Sequence, residues 1–169
     1  MKTITIAVAN QKGGVGKTTV TRELSACCAL RGFQTLTIDC DPQGNLTSSW
    51  VDPDVYEATL SHVLIEPESP AGVKAEPLPL DDAIVESPVE GLDLVPADIR
   101  LARFEMQPDY LTHRLRNQVR EHGRAYDLVF IDCPPQLGKL LTGALYTPGY
   151  VIVPWPGDGC RAWFERHGF

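Results

Sequence analysis

The sequence predicts an α/β fold, a mainly parallel sheet with helices on both faces. Two observations carry this. Short β-branched and apolar runs alternate with stretches whose apolar residues recur at helical spacing. Three polar segments, 10–19, 39–45 and 132–135, each directly follow an apolar run. That is where the carboxyl ends of parallel strands gather ligands.

Residues 3–9 form a β-branched and apolar run ending in polar residues, the pattern of a buried parallel strand. Residues 11–16 are a glycine-rich turn. Over 17–31 Val20, Leu24, Cys27, Cys28 and Leu30 recur at roughly helical spacing, and Gly32 stands where a C-terminal cap belongs. Strands are expected over 35–38, closing on Asp39-Cys40-Asp41, and over 92–95. A helix over 110–122 carries Arg114, Arg116 and Arg120. A strand over 128–131 runs into Asp132, followed by a helix over 137–146 and a last strand over 150–153.

At 169 residues the chain is long enough for one domain with a core and short for two. The cysteines, at 27, 28, 40, 133 and 160, form no CxxC pair, so they read as buried thiols and not as a zinc site or disulfide framework. No run of about 18 apolar residues occurs, and the first apolar stretch passes at once into glycine-rich sequence. No membrane span or signal peptide is therefore expected, and the expected location is cytoplasmic. The net charge of −7 is uneven. Residues 51–98 hold twelve Asp and Glu against Lys74 alone, which leaves +4 for the remainder. Seven of the fourteen prolines lie in the same stretch, which reads as a solvated, loop-rich excursion.

The chemistry begins at Gly16-Lys17-Thr18, the end of a phosphate-binding loop. The ordinary pattern G-x-x-x-x-G-K-[ST] would place a glycine where Gln11 stands, but Gly13, Gly14 and Gly16 do the same physical work. Lacking Cβ atoms, they let successive N–H groups turn inward around an anion, and the helix that follows adds its positive end. Lys17 can reach the β- and γ-phosphates of a nucleotide, and the Thr18 hydroxyl can ligate Mg²⁺. The plain alternative is a glycine turn between a strand and a helix. Asp132, closing an apolar strand, has the Walker B arrangement, in which the carboxylate orients Mg²⁺ through water. Asp39 and Asp41 close another strand, and turn formation alone is their plain alternative.

Three segments carry a resemblance. Lys12-Gly13-Gly14-Val15-Gly16-Lys17-Thr18-Thr19 resembles the deviant Walker A motif of the ParA/MinD superfamily of P-loop NTPases. Asp39-Cys40-Asp41-Pro42-Gln43-Gly44-Asn45-Leu46-Thr47 and Ile131-Asp132-Cys133-Pro134-Pro135 are similar to the second motif and the switch region of its ParA/Soj-type partition ATPases. The resemblance runs, with a variable middle, to about residue 154. It implies a P-loop ATPase domain over 1–154, with an acidic, Pro-rich excursion at about 51–91. It implies ATP/ADP and Mg²⁺ as cofactors, nucleotide bound by Gly13, Gly14, Val15, Gly16, Lys17, Thr18 and Thr19, and catalysis by Lys12, Lys17 and Asp41. Thr18 would hold the metal directly, Asp132 and Asp41 through water. Lys12 would reach across a homodimer to the partner's nucleotide.

The family role so implied is segregation or positioning of plasmid or chromosomal DNA. A ParB-type centromere-binding partner, non-specific DNA and association with the nucleoid are implied with it. The arginines at 100, 103, 114, 116, 120 and 124 do not themselves demand DNA, since a charged helix face accounts for them. Residues 155–169 do not match the family, which continues with further strands and helices. They are expected to be an atypical tail on a truncated or frame-shifted product that lacks those last elements, leaving 150–153 as an uncovered apolar edge. A MinD-like membrane role lacks an amphipathic C-terminal helix, and a metabolic synthetase would not explain DPQGN. The competing reading is a nucleotide-binding regulator without turnover.

Overall fold

The computed structural model describes residues 3–67 and 76–155. Most of the tail expected over 155–169, and Glu68, Pro70 and Lys74 of the acidic stretch, lie outside the described residues.

Among the described residues six strands form one sheet, in the order β3-β4-β2-β5-β1-β6. They are β1 (Ile4–Val8), β2 (Thr35–Asp39), β3 (Val85–Glu86), β4 (Leu92–Val95), β5 (Leu128–Asp132) and β6 (Tyr150–Ile152). All neighbours pair parallel except β3, which runs antiparallel to β4. The sheet is thus mainly parallel, and its central strand β2 is buried along its whole length.

In-register pairing puts Val8, Asp39 and Asp132 side by side at the carboxyl ends of β1, β2 and β5. Strand periodicity then sorts the neighbours. Leu36, Ile38, Cys40, Val129, Ile131 and Cys133 share one face, and Thr37, Asp39, Phe130 and Asp132 the other. The first face carries the large hydrophobic cluster with α3 (Leu60–Leu64), α4 (Arg114–His122) and α5 (Lys139–Tyr146). The second is covered by α1 (Lys17–Ala29) and α2 (Asn45–Trp50). Both faces are thus buried under helices, one apolar and the other built largely of Thr and Asp side chains.

Several expectations are corrected. Helix α1 ends near Ala29, with Gly32 at φ +89° beyond it as the glycine signal implied. Its buried face, however, is Lys17, Thr21, Ser25 and Ala29, while Leu24 and Leu30 point out. The first turn of the helix expected over 110–122 is 3₁₀, over Asp109–His113, and α4 proper starts at Arg114.

The acidic stretch is not simply a solvated loop. Leu60, Val63, Leu64, Leu80 and Ala83 within it are at most 1% exposed. It is also clipped to α4: His122 Nδ1 lies 2.7 Å from Asp81, the Leu80 amide donates to Gln118 at 2.8 Å, and Arg114 pairs with Glu66 at 3.2 Å. Burial of those leucines outweighs the charge that made the stretch read as solvated. β6 lies at the edge of the sheet among the described residues, with Tyr150 and Val151 exposed.

Candidate active site

The loop after β1 closes on α1 through two glycines in the left-handed region, Gly14 at φ +72° and Gly16 at +86°. Gly16 is the N-cap of α1, and no side chain satisfies the first-turn amides. Those N–H groups and the positive end of the helix are left facing the concavity of the loop. A cavity of about 380 Å³ opens there. Gly13, Gly14, Gly16, Lys17, Thr18 and Thr19 line it on one side, and Asp41, Asn45 and Pro135 on the other. A larger concavity, about 460 Å³, is walled by His62, Ile65, Arg100 and Arg103 and contains none of the motif residues. The smaller one is the candidate because of what its lining can do.

Lys17 is 8% exposed and makes no ion pair among the described residues. Lining the cavity, its ammonium is placed to meet an anion there. Thr18 donates its hydroxyl proton to Asp132 Oδ2 at 2.7 Å, so its oxygen lone pairs stay free for a cation. Thr21 donates to Asp132 Oδ1 at 3.3 Å and to the Lys17 carbonyl at 3.0 Å. Burial pushes the Asp132 carboxyl up to about 6. The bonds from Thr18 and Thr21 oppose that shift, the Asp41 charge adds to it, and the Lys17 charge opposes it.

Asp39 is buried beneath the turn that carries Asp41. Its Oδ2 accepts from the Thr47 amide at 2.9 Å and hydroxyl at 2.7 Å, and its Oδ1 accepts from the Asp41 amide at 3.0 Å. The Thr47 hydroxyl oxygen accepts in turn from the Ala97 amide at 2.9 Å, tying α2 to the end of β4. Burial raises the Asp39 carboxyl to about 7, opposed by the Thr47 bonds and reinforced by the Asp132 charge. Asp39 is therefore the strut of this turn. Asp41, which accepts the Gln43 amide at 3.0 Å, is the member that reaches the cavity.

The structure thus brings Gly13, Gly14, Gly16, Lys17, Thr18, Thr19 and Asp41 to one cavity, with Asp132 behind Thr18. Val15 and Lys12 are not in its lining. Lys12 is exposed, its amide held by Asn10 Oδ1 at 2.9 Å, while Asn10 Nδ2 donates to the Pro154 carbonyl at 2.7 Å. Sequence reading missed Thr21 and the clamp by Asn10, and quoted Asn45 and Thr47 within a motif without assigning them a role. Thr21 had a signal, since it stands one helical turn from Lys17 on the same face. The others depend on the fold.

A parallel sheet with a glycine loop, a buried lysine and a Thr–Asp pair at its carboxyl edge defines a P-loop NTPase fold. The AAA domain family model matches residues 2–159. The sporulation initiation inhibitor protein Soj of Bacillus subtilis is 37% identical over 153 residues, covering 88% of this chain and 56% of its own length. The chromosome partitioning protein ParA of Caulobacter vibrioides is 36% identical over 155 residues, covering 88% and 54%. Among solved structures, a cobyrinic acid a,c-diamide synthase from Mycobacterium smegmatis with bound ATP analogue and magnesium superposes at a TM-score of 0.79. Its identity is 33%, over 98% of this chain and 69% of that one. The chain belongs to the AAA domain family, and the curated relatives it resembles include Soj and ParA proteins. It spans about half the length of the curated relatives it matches.

Proposed function

We propose that the chain binds ATP and ADP with Mg²⁺ and hydrolyses ATP, in the service of DNA segregation or positioning. The observation that carries this is Lys17, without an ion pair among the described residues, lining the same cavity as Asp41 and as Thr18, which bonds to Asp132. The Gly13–Thr19 amides and Lys17 hold the phosphates, and Val15 contributes its backbone only. Thr18 would hold Mg²⁺ directly, with Asp132 and Asp41 acting through water. Mg²⁺ would neutralise charge on the phosphate oxygens. Asp41 orients the attacking water, its turn held by Asp39.

Lys12 is exposed and pairs with no carboxylate among the described residues, which leaves it free to serve a second subunit's nucleotide in a homodimer. A relative named for chromosome partitioning supports the DNA role; a ParB-type partner, non-specific DNA and a cytoplasmic, nucleoid-associated site of action follow from the motif resemblance alone. Partition is preferred to the synthesis named for the solved neighbour because a chromosome partitioning protein is 36% identical to this chain against 33% for the synthase, and the segment Asp41-Pro42-Gln43-Gly44-Asn45 resembles the partition type.

The competing reading is nucleotide binding without turnover. Phosphate release decides between the two. The proposal expects slow turnover by wild type, abolished by Asp41→Ala with Mg·ADP affinity kept. A wild-type chain that binds but never releases phosphate leaves the second reading standing.

A further inference from the structure

Gly138 precedes α5 in an extended conformation, φ −178°, which any residue adopts. Sterics explains the glycine instead. A Cβ there would lie 2.5 Å from Glu105 Oε2 and 2.6 Å from its Cδ, so the carboxylate, the end of a flexible side chain, would have to swing out of its present position. The same carboxylate accepts the Lys139 amide on Oε2 at 2.7 Å and the Leu140 amide on Oε1 at 3.1 Å. These are first-turn donors of α5, with no partner inside the helix. Lys139 is held further by its side chain, which pairs with Asp109 at 2.9 Å and donates to the Gln107 carbonyl.

Glu105 belongs to the 3₁₀ segment Ile99–Met106. Three residues per turn put Ile99, Ala102 and Glu105 on one face, while Leu101 and Phe104 are buried in the core. That face lines a cavity of about 280 Å³ which shares Asp41 with the phosphate cavity. The loop 133–138 runs between the two cavities. Pro134 and Leu137 wall the one beside Glu105, and Pro135 walls the phosphate cavity. One end of this six-residue loop is Asp132, held by Thr18 and Thr21. The other end is α5, held by Glu105.

We propose that Glu105 is a positioning residue for phosphate chemistry: it grips the first amides of α5 and so sets the loop that carries Pro135 against the phosphate cavity. This rests on the ATPase reading above. A loop fixed at both ends holds its wall still, and displacements of about 1 Å near reacting atoms can cost ~100-fold in rate. Gly138 is the complement of the grip, since only a residue without Cβ lets the carboxylate reach both amides.

The test uses the full chain with Glu105→Gln, Gly138→Ala and the double variant. Gln replaces one acceptor oxygen by an NH₂ that faces an amide N–H. Ala displaces the carboxylate from the other side. Melting curves establish that each variant folds, and Gly138→Ala carries the test alone if Glu105→Gln does not. Each single change is expected to lower ATP turnover by ~10–100-fold, with Mg·ADP affinity within about twofold of wild type. Amide exchange at Lys139 and Leu140 should quicken. The double variant should lose no more than the worse single, because both act through one contact.

Wild-type turnover in Glu105→Gln despite faster exchange overturns the proposal. So do losses that add in the double variant, or an affinity that falls in step with turnover. A wild-type chain that turns over no ATP sinks the ATPase reading and this inference together; an active wild type with active variants sinks the inference alone.

Discussion

At the scale of residues, the site is a set of buried charges whose partners are only partly supplied by the chain. Asp39 and Asp132 sit in register at the ends of adjacent strands, raised to about 7 and about 6 from an ordinary 3.8. Between those values and 3.8 the folded chain holds protons that the unfolded chain has lost. Stability from this source is greatest near pH 4 and declines as pH rises through 6 and 7, by on the order of a few kcal/mol. Asp98, lowered because its bonds from Arg100 and Thr59 outweigh its burial, acts below that window and with the opposite sign. Between pH 5 and 8 the melting temperature of the nucleotide-free chain should therefore fall, and Asp132→Asn should flatten part of the slope. A wild-type melting temperature that rises over this range would contradict the assignment. The motif identified Asp132 and Asp41 from sequence. It could not show that Asp39 is the strut, because that role is a contact with Thr47 eight residues on and, through it, with Ala97.

At the scale of elements, α1 shows why periodicity misleads. Its apolar residues do recur at helical spacing, yet Leu24 is 39% and Leu30 76% exposed, whereas Thr21 and Ser25 are wholly buried. Small and polar side chains let the helix lie close over β2 and β5, which brings Thr18 and Thr21 within reach of Asp132. Ser25→Leu should therefore cost about 1–3 kcal/mol by overpacking. Leu24→Gln should stay within about 0.5 kcal/mol. Denaturant midpoints of the two variants decide this, and the reverse order would refute the buried face described. Elements set by local signals were legible: the glycine loop, the strands ending in Asp, and Gly32 beyond α1. Those set by distant partners were not. β3 exists by pairing with β4, and the 3₁₀ segment Ile99–Met106 meets α5 across more than thirty residues of chain.

At the scale of the whole molecule, parallel register is what gathers the three motif segments, since strands of similar length begin together and end at one edge. That convergence could be read from sequence because each polar segment follows an apolar run. The acidic stretch could not, because composition reports charge and not the five apolar side chains it delivers to the core. The central claim is that this edge forms a working phosphate site in the chain as it stands. Calorimetric titration of Mg·ADP into the full chain, beside Lys17→Ala, tests it most directly. Binding in the micromolar range that Lys17→Ala weakens by at least about tenfold is the predicted result. Equal binding by the two chains, or none by a folded wild type, would contradict it.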